Sequence, residues 1–119
     1  MTSKQRAKLL ARALEEKKGL DIRVLDLREE RSFTDFFVIA TATSDRHAKA
    51  LCDAVLEAAH AIGDRPFGVE GEQTARWILV DLSDLVVHVF QQDSRDFYSL
   101  ERLWGDAVEL PRAASGDVA

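Results

Sequence analysis

Two pairs of carboxylates are the residues of this chain whose spacing could support chemistry. Glu70 and Glu72 alternate along a short segment, and Asp81 and Asp84 flank a predicted turn. Closely spaced carboxylates can hold Mg²⁺ for nucleotidyl transfer. Neither pair lies beside a glycine-serine loop that could cradle a phosphate. The sequence therefore favours solvated acidic side chains over a magnesium site.

The nitrogen and sulfur ligands of the chain do not form a metal motif. Cys52 follows His47 by five residues and precedes His60 by eight, which matches no compact zinc spacing. Cys52 also lies on the apolar face of a predicted helix, which indicates a core thiol. His88 lies among apolar residues, which is typical of a hydrogen-bonded structural imidazole and not of a catalytic base. We expect no metal, no cofactor and no catalytic residue.

The segment Thr41–Ser44 leads from a predicted strand into a predicted helix, where backbone amides could hold a phosphate. It contains no glycine, and Asp45 adds a negative charge at the same place. Capping of the helix by Ser44 is the better interpretation.

Hydrophobic periodicity predicts three helices and four clear strands in a single domain. The helices cover 4–18, 45–62 and 95–104, and the strands cover 21–27, 35–42, 75–82 and 85–90, with a short glycine-interrupted segment at 67–73. Gly19 and Gly63 are predicted helix ends, Gly19 in the left-handed conformation. This order indicates an α/β (α+β) domain over 1–107, with a mixed sheet, an antiparallel hairpin and flanking helices, followed by a flexible tail over 108–119.

The hairpin has two different faces. With a two-residue turn at Ser83-Asp84, strand alternation puts Ile78, Val80 and Leu82 on an aliphatic face that belongs in the core. The opposite face carries Asp81 with Val86, Leu79 with His88, and Trp77 with Phe90. Two interpretations stay open for this second face: a helix of the same chain covers it, or a partner does, with Trp77 as the anchor and acidic side chains around it.

Charge is distributed unevenly along the 119 residues. Residues 1–18 carry six basic and two acidic side chains, whereas residues 19–119 carry ten basic and nineteen acidic ones. The acidic body repels phosphate and attracts basic partners, so little direct nucleic-acid contact is expected. The chain opens without a secretory signal, has one cysteine and lacks a membrane-length apolar run, which favours a cytoplasmic protein without membrane contact.

Three stretches of the chain resemble the ribosomal silencing factor family, also called Iojap-related. The resemblance extends over about residues 4–107 and is carried by 34–55, 68–90 and 94–107. Its most specific parts are Val69-Glu70-Gly71-Glu72, Trp77, Val80-Asp81-Leu82, Val87-His88-Val89, Arg95, Phe97-Tyr98, Leu100-Glu101 and Leu103-Trp104.

The resemblance implies a nucleotidyltransferase-like topology without that active site, and a protein that is not an enzyme. It further implies binding to the large ribosomal subunit through ribosomal protein uL14, which blocks joining of the small subunit and represses translation when nutrients are short. The partner-binding residues it implies are Trp77, Leu82, Tyr98, Glu70, Glu72, Asp81 and Asp84. Alternation sets Leu82 on the face opposite Trp77, so one interface can use both only if the hairpin twists at its tip.

This sequence departs from the family pattern at Ala42 and Ser83, where glycine is usual. Serine tolerates a positive φ less well than glycine, so the turn type at Ser83 is open.

Our hypothesis is steric exclusion by an acidic domain docked on a basic ribosomal protein. The alternatives are a large-subunit assembly factor, a nucleotide-binding or nucleotidyltransferase-like enzyme that uses the acid pairs, and an RNA binder that uses the basic first helix. A homodimer that covers the hairpin is also possible on this pattern.

Overall fold

The computed structural model describes residues 1–29 and 34–93, together with the backbone of 108–110. This part of the chain forms a mixed sheet with two helices, as the sequence predicts. The elements are α1 (Ser3–Glu16), β1 (Leu20–Asp26), β2 (Phe36–Ala42), α2 (Asp45–Ala61), β3 (Gly68–Glu70), β4 (Trp77–Asp81), β5 (Leu85–Gln91) and β6 (Val108–Leu110). The helix predicted at 95–104 lies outside the described residues.

Both helices begin and end with side-chain and backbone caps. Thr2 and Gln5 form a capping box at the start of α1, and the Ser44 side chain accepts from the His47 N–H at the start of α2. Gly63 follows the end of α2, as predicted, and takes the left-handed conformation with φ of 82°. At the end of α1 the prediction for Gly19 was wrong, because Lys18 takes the positive φ of 64°.

Gly19 serves the end of α1 in a different way. Its N–H donates to the Leu14 carbonyl at 2.8 Å, while the Lys18 N–H donates to the Glu15 carbonyl at 2.9 Å. This is the Schellman pattern of hydrogen bonds. A Cβ on Gly19 would lie 3.0 Å from the Leu14 oxygen, so the residue supplies close approach and not an unusual φ.

The six strands form one sheet in the order β3-β4-β5-β2-β1-β6. The β2–β5 pair is parallel, and the other four neighbouring pairs are antiparallel. Every residue of β2 is buried, as expected for a central strand. Val108–Leu110 pairs with Val24–Asp26 of β1 as an edge strand, although the sequence assigns these three residues to a flexible tail.

The two faces of the sheet have separate apolar clusters. On one face, α1 and α2 pack over side chains that include Val38, Val80 and Val87. On the other face, Phe37, Phe90 and their neighbours form the second cluster. Because side chains alternate along each strand, the sheet has two buried faces. The β4–β5 hairpin contributes side chains to both of them.

The hairpin turn has the predicted length and an unfavourable residue in it. The Leu82 N–H donates to the Leu85 carbonyl at 2.9 Å across Ser83-Asp84, and Ser83 has φ of 76°. A left-handed conformation costs a residue with a Cβ about 1 kcal/mol or more. The Asp81 carboxylate accepts from the Ser83 N–H at 2.9 Å, which offsets part of this cost.

Candidate partner interface on the hairpin

Trp77, Leu79 and Asp81 lie on the face of β4 that is turned away from α1 and α2. Glu70 pairs with Leu79 across β3–β4, and Leu79 pairs with His88 across β4–β5. All of these side chains therefore share one face of the sheet. Trp77, Leu79 and Asp81 are half-buried and Glu70 is exposed, whereas His88 is buried.

The Trp77 indole is held in a fixed orientation by two neighbours on β5. Its Nε1–H donates to His88 Nδ1 at 3.0 Å, and its ring stacks on Phe90 at a centroid distance of 5.0 Å. His88 in turn meets the Phe37 ring edge-on at 4.5 Å. The aromatic residues of this face are thus packed into one rigid group, which lowers the entropy cost of presenting the indole to a partner.

The hydrogen bond from Trp77 determines the tautomer of His88. Since Nδ1 accepts, the proton of the neutral ring is on Nε2, which has no hydrogen-bond partner among the described residues. Burial lowers the pKa of His88 to about 3. The sequence correctly predicts a structural imidazole here, but it does not identify His88 as the residue that positions Trp77. In the predicted register Trp77 and His88 are diagonal neighbours on adjacent strands, and this relation could have indicated their contact.

This burial predicts a pH-dependent stability. Between the ordinary His pKa of 6.5 and the folded value of about 3, the unfolded chain binds a proton that the folded chain does not. The free energy of unfolding should therefore fall with decreasing pH, by about 2 kcal/mol from pH 7 to pH 5. Urea titrations at these pH values measure the change, and His88→Gln should remove it. An equal loss in the variant would contradict this origin.

The backbone conformation at Gly71 explains why the Glu70-Gly71-Glu72 motif contains a glycine. Its φ is 87°, and a Cβ at this position would lie 2.0 Å from the Trp77 carbonyl oxygen. The Gly71 carbonyl accepts from the Ala75 N–H at 2.9 Å, which closes a tight turn between β3 and β4. The chain reverses here with backbone against backbone, so this turn sets where Trp77 enters β4.

The four acidic residues of the predicted site have different environments. Glu70 and Glu72 are exposed, and Asp81 caps the turn through its bond to Ser83. Asp84 accepts two hydrogen bonds from Arg6, at 2.5 and 2.8 Å, and a third from the Ser3 hydroxyl. The Arg6 guanidinium holds the pKa of Asp84 below its ordinary value. Asp84 is therefore bound within the chain, and Glu70 and Glu72 supply the exposed charge.

The structure places Leu82 away from the surface, in contrast to the expectation of an outward leucine. Its exposed fraction is 4%, and it lies in the cluster under the helices, with Val80 and Leu85. The hairpin does not twist enough at its tip to bring Leu82 to the face of Trp77. Tyr98, the last of the predicted site residues, lies outside the described residues.

No arrangement for metal chemistry is present in residues 1–29 and 34–93, where no three His, Cys, Asp or Glu side chains are grouped to hold an ion. His47 is used in the fold: its Nδ1 accepts from the Thr43 N–H at 2.9 Å, and its Nε2 lies 2.9 Å from the Lys17 carbonyl oxygen. Burial raises the pKa of the Cys52 thiol to about 11, as expected of a core thiol.

The start of α2, where the sequence allowed a phosphate, is occupied by protein groups. Asp45 accepts a hydrogen bond from the Gln91 side-chain amide at 2.6 Å, and the same amide donates to the Ala75 carbonyl at 3.0 Å. The described helices include none that is long and apolar enough to span a bilayer.

The chain is similar to several known proteins. A sequence profile described as RsfS, ribosomal silencing factor during starvation, matches residues 1–118. The ribosomal silencing factor RsfS of Bacillus subtilis is 40% identical over 107 residues, which are 90% of this chain and 91% of the relative. The mouse protein named mitochondrial assembly of ribosomal large subunit protein 1 is 30% identical over 81% of this chain and 43% of its own length.

A solved structure has the same fold. The crystal structure of a Chromobacterium violaceum protein superposes with a TM-score of 0.86, at 36% identity and over 98% of both chains. The profile covers nearly the whole chain, and the match to the Bacillus subtilis relative covers 90% of it. The chain therefore belongs to the RsfS family of ribosomal silencing factors.

Proposed function

We propose that this chain binds ribosomal protein uL14 on the large ribosomal subunit through the β3–β4 surface and thereby blocks joining of the small subunit. The observation that carries the proposal is the rigid Trp77 indole, which lies on the same sheet face as the exposed carboxylate of Glu70. A preorganised aromatic side chain with acidic neighbours suits a basic protein.

The action is steric and needs no catalytic group. A domain of this size has a surface of 6929 Å², of which a standard interface uses about 800 Å². The remaining bulk projects from the large subunit and excludes the small subunit. We place the protein in the cytoplasm, where it lowers translation under nutrient limitation.

In this proposal the residues have unequal roles. Trp77 is the anchor, with Glu70 and Glu72 as charged contacts and Asp81 at the border. Asp84 and Leu82 support the hairpin from within, since Asp84 is bound by Arg6 and Leu82 is buried. Tyr98 stays a proposed contact on the strength of the family pattern.

Two measurements test this function: sedimentation of the protein with separated subunits, and light scattering of subunit joining. The wild-type protein should sediment with large subunits and inhibit joining. Trp77→Ala should weaken binding about 30-fold, since truncation of an aromatic anchor costs about 2 kcal/mol. Leu20→Ala, which truncates an exposed apolar side chain on β1, is the matched control and should bind normally.

A second variant tests the interface independently, in case Trp77→Ala does not fold. Glu70→Lys with Glu72→Lys changes only exposed side chains, and it should weaken binding while the fold is retained. Asp53→Lys with Glu57→Lys makes the same charge change on the exposed face of α2 and should have little effect. If Trp77→Ala and the Glu70/Glu72 variant both inhibit joining as the wild type does, the interface is disproved, and absence of wild-type binding would disprove the function.

A role in large-subunit assembly is the second candidate. The printed name of the mouse relative favours it. It predicts accumulation of large-subunit precursors on gradients from cells that lack the protein, whereas the steric function predicts normal precursors and excess joined ribosomes during starvation. Pairing of two copies through the hairpin is a further proposal, which sedimentation equilibrium with Trp77→Ala would test.

A further inference from the structure

Helix α1 carries basic side chains at positions other than those that pack on the sheet. Ala7, Leu10, Ala11 and Leu14 are buried against the sheet. Lys4, Lys8 and Arg12 follow one another at intervals of four residues, so they lie along one stripe of the helix, about 6 Å apart along its axis. Lys4 and Arg12 are exposed and Lys8 is half-buried. We call these three residues the basic stripe.

Arg6, between the first two stripe residues, does not belong to it. Its side chain is bound to Asp64 at 2.7 Å and to Asp84, and it is 15% exposed. The helix therefore has one cation, Arg6, that is bound within the fold, and two exposed cations, Lys4 and Arg12, at the ends of the stripe. The pKa of Arg6 is raised by its hydrogen bonds to Asp84 and Asp64.

The basic stripe and Glu70 belong to different parts of the sheet, because α1 covers the face with Val38 and Val87 whereas Glu70 shares the face of Leu79. Helix α1 packs on β1 and β2, whereas Glu70 is on β3 at the far edge. Four strand intervals separate β3 from β1, which is about 19 Å. Two groups of charge at this separation are screened from each other at physiological salt, where the Debye length is about 8 Å. Each can therefore select a partner of its own.

We infer that the basic stripe contacts phosphates of ribosomal RNA while the hairpin contacts protein, so that the domain docks on the large subunit at two points of opposite charge. This inference rests on the proposed function and adds a second partner to it. Exposed Lys and Arg side chains in a row suit backbone phosphates and carry no base preference. The contact sets orientation, because one anchor at Trp77 leaves the domain free to rotate.

The test compares the salt dependence of binding to purified large subunits. The test variant is Lys4→Gln with Arg12→Gln, which keeps good helix formers at exposed positions. Each phosphate contact changes the logarithmic salt slope by about 0.7 to 0.9, so loss of two contacts corresponds to about tenfold between 50 and 200 mM salt. The wild-type affinity should fall about tenfold more than that of the variant over this range. Arg46→Gln with Lys49→Gln removes two exposed cations from α2 and should behave as wild type.

Three results would overturn the inference. The first is an unchanged salt slope in the Lys4/Arg12 variant, and the second is an equal change in the α2 control. The third is weaker binding of the variant to isolated uL14 in the absence of RNA, which would assign the stripe to a protein contact. If wild-type protein does not bind subunits, the proposed function fails, and the same salt series on a large-subunit RNA transcript then decides the inference by itself.

Discussion

Gly71→Ala should lower the free energy of unfolding by about 2 to 5 kcal/mol and should also weaken binding to the large subunit. Two costs add up at this position. A Cβ at φ of 87° costs about 1 to 2 kcal/mol, and the overlap with the Trp77 carbonyl oxygen at 2.0 Å adds about 1 to 3 kcal/mol. The neighbour is backbone, so it can move only by displacing Trp77.

Gly63→Ala separates the two costs. Gly63 has nearly the same φ, 82°, but a Cβ there meets nothing within 4 Å. The Gly63→Ala variant should therefore lose only about 1 to 2 kcal/mol of the free energy of unfolding. Urea unfolding of both variants gives the difference, and the indole N–H signal of Trp77 in NMR spectra reports whether its bond to His88 survives. Equal stability losses in the two variants would show that the chain relaxes around the new methyl group.

Arg6→Met should be the second most damaging change, with a loss of roughly 2 to 3 kcal/mol in the free energy of unfolding. It removes three hydrogen bonds to carboxylates and leaves Asp64 and Asp84 without their cation. Loss of a partner from a buried pair costs more, but the side chains here are 15 to 31% exposed, so water compensates in part.

The pH dependence identifies the origin of that loss. The pKa of Asp84 is lowered by Arg6 in the folded chain, so its contribution is complete above the ordinary value of 3.8 and disappears as pH falls through the lowered one. The difference between wild type and Arg6→Met should therefore shrink below about pH 4. Arg12→Met, an exposed change in the same helix, should stay within 0.5 kcal/mol of wild type. A difference that is constant with pH would indicate lost packing and not lost charge pairing.

The Arg6 bonds also connect the two proposed contact surfaces. They tie the first turn of α1 to the hairpin turn at Asp84 and to the segment after α2 at Asp64. The basic stripe and the hairpin are thereby held in one orientation, which is what simultaneous contact with RNA and protein requires.

Local patterns in the sequence were sufficient for α1, α2, β1, β2, β4 and β5 and for the hairpin register. The alternation in 75–90 correctly predicts the pairs of Ile78 with Val89 and of Val80 with Val87. Ser44 and Gly63 mark the ends of α2 as predicted. These features depend on residues a few positions apart or on a two-residue turn, so the chain specifies them before it is folded.

The parts that the sequence did not determine all involve groups brought together by the sheet. Arg6 and Asp84 are 78 residues apart, and nothing local marks Asp84 as an internal ion-pair partner. Three other features likewise depend on the order of the strands and on how closely the elements approach each other. They are the pairing of Val108–Leu110 with β1, the burial of Leu82 under α1 and α2, and the close approach of Gly71 to Trp77.

The sequence by itself determined which side chains alternate along the hairpin, the acidic character of the body and the basic character of α1, because periodicity and charge are properties of neighbouring residues. Only the tertiary structure decided which of those charges are neutralised internally and which indole is held rigid. Those outcomes depend on distances of about 3 Å between residues far apart in the chain, and packing of α1 and the hairpin on one sheet sets these distances.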